Sequence, residues 1–467
     1  MTSLDKIEPA AIMPPPAAAT RGHLTVELAE TLKLAAPIAL TQLGQIAMMT
    51  TDIAFIGRLG SEAVAAASLA HTVFFVSFTF GMGLVSAVAP LAAQAFGARN
   101  PRLVRRSLRV GLWAAFFIAL PMMALSFRGE QILLALGQAP VAAHLAQQYL
   151  LGLTWSILPA LCFLAIRGFM SAVNRPEPIL WITLAAIPAN ALLVYLLLYG
   201  AWGLPRLGLF GAGLATSIVN VGTFLAGLWF AAYRRPFRKY HVLGYIWRID
   251  WELMRQLVVI GAPISISFLL EYGLFGAAGL LMGTISVTAL AAHQIALQIA
   301  AILFMVPFGI GMAATVRVGH AIGRHDASGV RRAGFVATLL GIALTAALTL
   351  AVIVSRFGIA QIFLGESTDA TAALSATLLL VGATFFVADG IQTIAAGSLR
   401  GMNDTRVPLL FATLSYWMIG FPCAWWLGFW TPLSAAGVWI GLSVGTAVYA
   451  TLLLLRFRML ASKLAFP

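Results

Sequence analysis

Three carboxylates stand inside runs of sequence that are otherwise apolar: Asp52, Glu271 and Asp389. Polar side chains share their helical faces. At 100° per residue, Gln42, Gln45 and Asp52 fall within about 80° of one another, and Asp389, Gln392 and Thr393 are i, i+3, i+4 neighbours. Asn190, Asn220, Gln294, Gln298, His71 and His293 add polar groups to other runs. An Asp at the centre of a bilayer-spanning helix costs about 2.5–3.5 kcal/mol on insertion scales, and such residues usually mark ion or substrate pathways. No Lys or Arg stands at the same depth along these runs. Acids so placed can take up a proton or hold Na⁺ through hard oxygen ligands, and either occupant would compete with an organic cation. The plain alternative is an acid hydrogen-bonded to a neighbouring helix. It suits Asp52 best, near the end of its run, and accounts poorly for all three. For a lone His in such a run, helix–helix hydrogen bonding is the commoner role, ahead of proton relay.

The elements that must hold these groups are membrane helices. Of 467 residues, 61% are hydrophobic and 10% charged, with a mean hydropathy of +0.93. Soluble domains average about 45–50% apolar and about 25% charged. The net charge of +13 does not point to nucleic acid, because the basic residues cluster between apolar runs. Cys162 and Cys423 lie inside such runs, with no disulfide or metal-ligand spacing. A spanning helix needs about 20 mainly apolar residues. Twelve runs qualify, near 33–57, 63–92, 107–127, 145–170, 179–200, 210–233, 255–282, 286–315, 334–355, 371–397, 407–428 and 434–456. They are too long to be strands of a membrane barrel, so the expected fold is all-α. Proline at 37, 121, 159, 188, 263, 307 and 422 offers sites for kinks.

Placing the termini and alternate connections in the cytoplasm puts 25 of the 29 Lys and Arg residues on that side, as the positive-inside rule requires. Only Arg58, Arg128, Arg206 and Arg356 fall outside. Residues 1–30 hold Asp5, Glu8, Glu27 and Glu30 and no uninterrupted apolar stretch, so a cleavable signal is not expected. This Pro-rich segment is expected to be a disordered cytoplasmic tail.

The chain also repeats itself. At an offset of 226, Gly97 meets Gly323, Asn100 meets Asp326, Val104-Arg105-Arg106 meets Val330-Arg331-Arg332, Pro37 meets Pro263 and Gly57 meets Gly283. Ala172-Val173-Asn174 matches Gly401-Met402-Asn403 at 229. Two six-helix lobes are expected, 31–233 and 251–467, joined by a basic linker at 234–250. An even helix number gives both lobes one orientation and a pseudo-two-fold along the membrane normal, a plan typical of secondary transporters. The offset also sets Gln45 against Glu271, so the lobes differ at their polar centres. No GxxxxGK[ST] phosphate loop is present.

Four stretches carry a family resemblance: AAPIALTQLGQIAMMTTDIAFIGRLG, GAPISISFLLEYGLFGAAGLLMG, ALAAHQIALQIAAILFMVPFGIGMAATVRVGHAIG and AAGSLRGMNDTRVP. Over about residues 30–458 the chain resembles the multidrug and toxic compound extrusion transporters, in their NorM-type branch. The resemblance implies antiport by alternating access, with Na⁺ or H⁺ entering as cationic amphipathic drugs leave. It implies a coupling-cation pair at Glu271 and Asp389, which would be the metal ligands if Na⁺ is used. It also implies a functional acid at Asp52, and the polar groups noted above, Gln42, Gln45, Asn190, Gln294 and Gln392, are candidates with it for a substrate or proton site. Some Na⁺-using members have a tyrosine one turn before the Asp389 position. Here that residue is Phe385, which lacks a hydroxyl oxygen and leaves H⁺ open.

The expected partners are small organic cations and membrane lipid, with no nucleic acid. The chain is expected to be a monomer in the bacterial inner membrane, with no cofactor beyond the coupling ion. A flippase for lipid-linked sugars or polysaccharides is the alternative within transport, but phosphate-bearing substrates would call for basic cavities. An enzyme would need a metal motif or a nucleophile–base set, and neither is visible.

Overall fold

The computed structural model describes residues 17–365 and 369–465, without the side chains of 17–22 and 369. Among the described residues there is no strand. The helices are α1 (Ala17–Gly57), α2 (Ser61–Ser86), α3 (Val88–Gly97), α4 (Pro101–Phe127), α5 (Gly129–Ala135), α6 (Pro140–Thr154), α7 (Ile157–Ala172), α8 (Glu177–Tyr199), α9 (Gly208–Tyr233), α10 (Trp251–Ile285), α11 (Val287–Gly323), α12 (Ala327–Leu364), α13 (Asp369–Gly401), α14 (Arg406–Ala412), α15 (Phe421–Phe429) and α16 (Ala435–Lys463). A π-helical segment, Thr413–Gly420, joins α14 to α15. Lipid offers the backbone no hydrogen bonds, so an apolar chain must satisfy them within its own helices.

Among the described residues, eleven continuous helical stretches are long and apolar enough to span a bilayer, and the pair α6–α7, bent by 47°, makes a twelfth. Each of the twelve sequence runs falls on one of them. The bend lies at Trp155–Ser156, just ahead of Pro159. Pro37, Pro121, Pro188, Pro263 and Pro307 instead sit within continuous helices.

The expected tail at 1–30 needs correction. Residues 1–16 lie outside the described residues, but helix begins at Ala17 and runs unbroken into the first span. Glu27 anchors it through a two-pronged ion pair, accepting from Arg317 Nε and Nη2 at 2.8 Å each. A planar guanidinium held this way fixes direction as well as distance.

The repeat is structural. Asn100 and Asp326 are both N-caps, accepting from Leu103 N–H at 3.1 Å and Gly329 N–H at 2.8 Å, which satisfies an otherwise free donor at each helix start. Asn174 and Asn403 both take the left-handed backbone conformation that Asn tolerates better than most residues. Close approaches across the molecule come in symmetric pairs. A Cβ on Gly97 would overlap the His320 backbone, and one on Gly323 would overlap the Gln94 carbonyl. Likewise Gly83 abuts Ser265, while Gly309 abuts Ala39. Shifting either member of a pair by 226 produces the other, as a two-fold between lobes demands.

These contacts join α1, α2 and α3 to α10 and α11 along a seam that reaches the arginine-rich end of the molecule. There Gln94 donates to the Gly401 carbonyl at 2.8 Å and accepts from Asn403 Nδ2 at 2.9 Å. His320 Nε2 donates to the Ala172 carbonyl at 2.6 Å. The connection 234–250 packs against α4: Trp113 Nε1 donates to the Ile246 carbonyl at 2.7 Å, and Arg106 pairs with Asp250.

Candidate functional site

The intramembrane polar groups assemble into two separate networks, one per lobe. In the first, α1 supplies Asp52, which is buried. Its Oδ1 accepts from Asn190 Nδ2 of α8 at 2.5 Å, and its Oδ2 accepts from Thr216 Oγ1 of α9 at 3.1 Å. Three helices thus converge on one carboxylate, and each of its oxygens has one donor. Asn190 is fully buried, and its Oδ1 has no hydrogen-bond partner. Nearby, Tyr149 OH lies 3.3 Å from His71 Nε2.

In the second lobe, Gln392 of α13 organises the site. Its amide nitrogen donates to Asp389 Oδ1 at 2.8 Å, one turn away on the same helix. The same nitrogen donates to Glu271 Oε1 of α10 at 3.0 Å. Its carbonyl oxygen accepts from Tyr416 OH at 2.7 Å. An amide NH₂ has two protons and a phenol has one, so every donor in the set is used. Tyr416 sits in the π-helical segment and packs edge-on against Tyr449 of α16, with ring centroids 5.0 Å apart. Phe385 is buried among Phe275, Phe386 and Trp439, and the phenol that hydrogen-bonds to Gln392 is that of Tyr416, from another helix. His293 accepts from Trp439 Nε1 at 3.1 Å, a helix–helix contact.

The fold brings together Asp52 with Asn190, and Glu271 with Asp389 and Gln392. Gln42, Gln45 and Gln294 join neither network. Gln42 accepts from Arg167 Nη1 at 2.6 Å, while Gln45 and Gln294 are exposed. Thr216, Tyr416 and Tyr449 lie in apolar runs where nothing in spacing singles them out.

One expectation is overturned. Sequence depth left the acids without a basic neighbour, but Arg400 and Arg167 both turn inward from the helices that carry them. Arg400 lines a small cavity with Glu271, Gln392, Tyr416 and Tyr449, and its guanidinium lies 5.0 Å from the centroid of the Phe268 ring. The reason is reach: position along a helix locates the Cα, and a long side chain carries its charge well beyond it. Arg400 is not ion-paired with either acid. The Lys/Arg ion pairs among the described residues are Arg106–Asp250, Arg317–Glu27, Arg332–Asp326 and Arg456–Asp404.

The donors of the second network suit a proton or a small hard cation. Two carboxylates face one neutral amide, and a third hard oxygen, Gln392 Oε1, is taken by Tyr416.

Comparison with known proteins agrees with this plan. The MatE family model matches twice, over residues 37–196 and 263–426; the two matches begin 226 residues apart, the offset of the repeat. A probable multidrug resistance protein NorM of Bradyrhizobium diazoefficiens is 64% identical over 466 residues, covering 99% of this chain and 100% of the relative. Another of the same description, from Rhodopseudomonas palustris, is 60% identical over 436 residues, covering 93% of this chain and 92% of the relative. Among solved structures, a eukaryotic MATE transporter superposes with a TM-score of 0.85 at 20% identity, over 94% of this chain and 98% of its own. With both halves matched and full-length relatives this similar, the chain belongs to the MatE family, the multidrug and toxic compound extrusion transporters, in the NorM-type branch.

Proposed function

We propose that this chain is a cation-coupled antiporter that exports cationic amphipathic drugs by alternating access. The observation that carries the reading is the Gln392 amide held between Glu271 and Asp389. Two carboxylates on one neutral donor leave negative charge available at the heart of the second lobe. An entering cation neutralises it, and an organic cation approaching the same region must wait its turn. The donor pattern favours H⁺ over Na⁺. Gln392 presents its NH₂ to the acids and its carbonyl to Tyr416, so Na⁺ would have to turn the amide round to gain that oxygen. Phe385 adds no oxygen of its own.

In this reading the arginine-rich end faces the cytoplasm of a bacterial inner-membrane protein, with both termini on that side and the monomer as the working unit. The seam between lobes then closes the cytoplasmic side. The lobes 31–233 and 251–467 part along it when the cytoplasmic side opens, and Asp52 with Asn190 and Thr216 forms a second polar station in the first lobe.

The test is purified protein in liposomes loaded with ethidium, under an imposed H⁺ or Na⁺ gradient. Drug movement driven by the H⁺ gradient alone is expected. Movement under Na⁺ alone would replace the coupling ion, and no movement under either would end the antiporter reading.

A further inference from the structure

At the seam, a second cavity of about 20 Å³ is lined by Met82, Ser86 and Arg167 of the first lobe and by Phe268, Met312 and Arg400 of the second. It has room for about one water-sized or chloride-sized particle. Two arginines, one from each lobe, line it, and no carboxylate does. Arg167 is only 5% exposed. Its Nη1 donates to the neutral Gln42 carbonyl, and its Nε has no hydrogen-bond partner. Arg400 has the face of Phe268 beneath it, a partial compensation. Buried cations are normally paired, and like charges in a site of low polarity repel strongly.

We propose that this cavity binds one small inorganic monoanion of chloride size, held between Arg167 and Arg400. The volume suits one small ion. Because both lobes contribute to the lining, the bound anion holds the arginine-rich end of the seam together, and separating the lobes there divides the site. Arg400 also borders the cavity of Glu271, so the anion draws that guanidinium away from the acid pair.

The full chain is purified in chloride-free gluconate buffer and titrated with ³⁶Cl⁻. Saturable binding near one ion per chain is expected, weakened at least about tenfold in both R167Q and R400Q, since each removes a charge-assisted donor. Absence of saturable binding to the unaltered protein, or unchanged binding in the two variants, overturns the proposal. Should the variants fail to fold, bromide in crystals of the unaltered protein decides. An anomalous peak between the two arginines supports the site, and none there removes it.

Discussion

Gln392 is the residue on which the second lobe turns, because its amide touches both acids while its carbonyl is held by Tyr416. Glu271→Gln and Asp389→Asn should each abolish gradient-driven drug efflux while membrane insertion persists. Efflux assays on everted vesicles check this, and normal transport by both variants would dismantle the pair. Tyr416→Phe frees the amide to turn. A hydrogen bond of this kind contributes about 0.5–1.5 kcal/mol, so coupling should weaken roughly up to tenfold without vanishing, read from the steady-state drug gradient. At this scale the sequence was partly legible. Asp389 and Gln392 could be paired because one helical turn separates them. Glu271 could be singled out as costly in lipid, but only the family resemblance set it beside Asp389; helical spacing could not, since its partner Gln392 lies on a helix more than a hundred residues away.

Elements set where those residues stand. Tyr416 reaches Gln392 from a π-helical segment, a local widening often found at functional sites, and nothing in the sequence of the eleventh span announces it. Helix starts were more readable. Asn100 and Asp326 recur in the repeat because each caps a helix. Gly97 is required for close approach: any side chain there meets the His320 backbone. Gly97→Leu should therefore hold α3 and α11 apart, leaving the protein inserted but unable to complete its cycle. Drug efflux should fall to background, and efflux at the normal rate would show that the seam tolerates the gap.

Asp250 caps α10 and binds Arg106 outside the membrane. Burial pushes its carboxyl up, but the Leu253 N–H and the Arg106 guanidinium outweigh that and hold it below its usual range. A depressed value means its stabilisation is present above the ordinary Asp pKa of about 3.9 and is lost as pH falls through the lower, folded value. Asp250→Asn should flatten the acid limb of thermal stability in detergent and lower stability at neutral pH. An unchanged pH profile would mean that this pair contributes nothing.

The whole molecule is two lobes meeting along a seam fastened at the arginine-rich end by Glu27–Arg317, His320–Ala172 and the Gln94–Asn403 contact. If the lobes rock, that seam must part once per cycle. Cysteines at positions 27 and 317, joined by a short bis-thiol reagent, should stop efflux, with recovery when a cleavable linker is cut. Continued transport after complete cross-linking would refute the opening of this seam. Arg105→Cys and Arg106→Cys should react with impermeant thiol reagents only from the cytoplasmic side. Labelling from outside would invert the topology.

The amino-acid sequence by itself determined the twelve spans, the duplication and the identity of the costly acids. Bilayer thickness and the absence of water dictate apolar length and internal hydrogen bonding, and both are written locally along the chain. Tertiary structure alone decided which acid meets which amide, that Thr216 and Tyr416 complete the two networks, and that Arg167 and Arg400 turn inward. Those outcomes depend on helix rotation and side-chain reach between segments far apart in sequence, which no local pattern records.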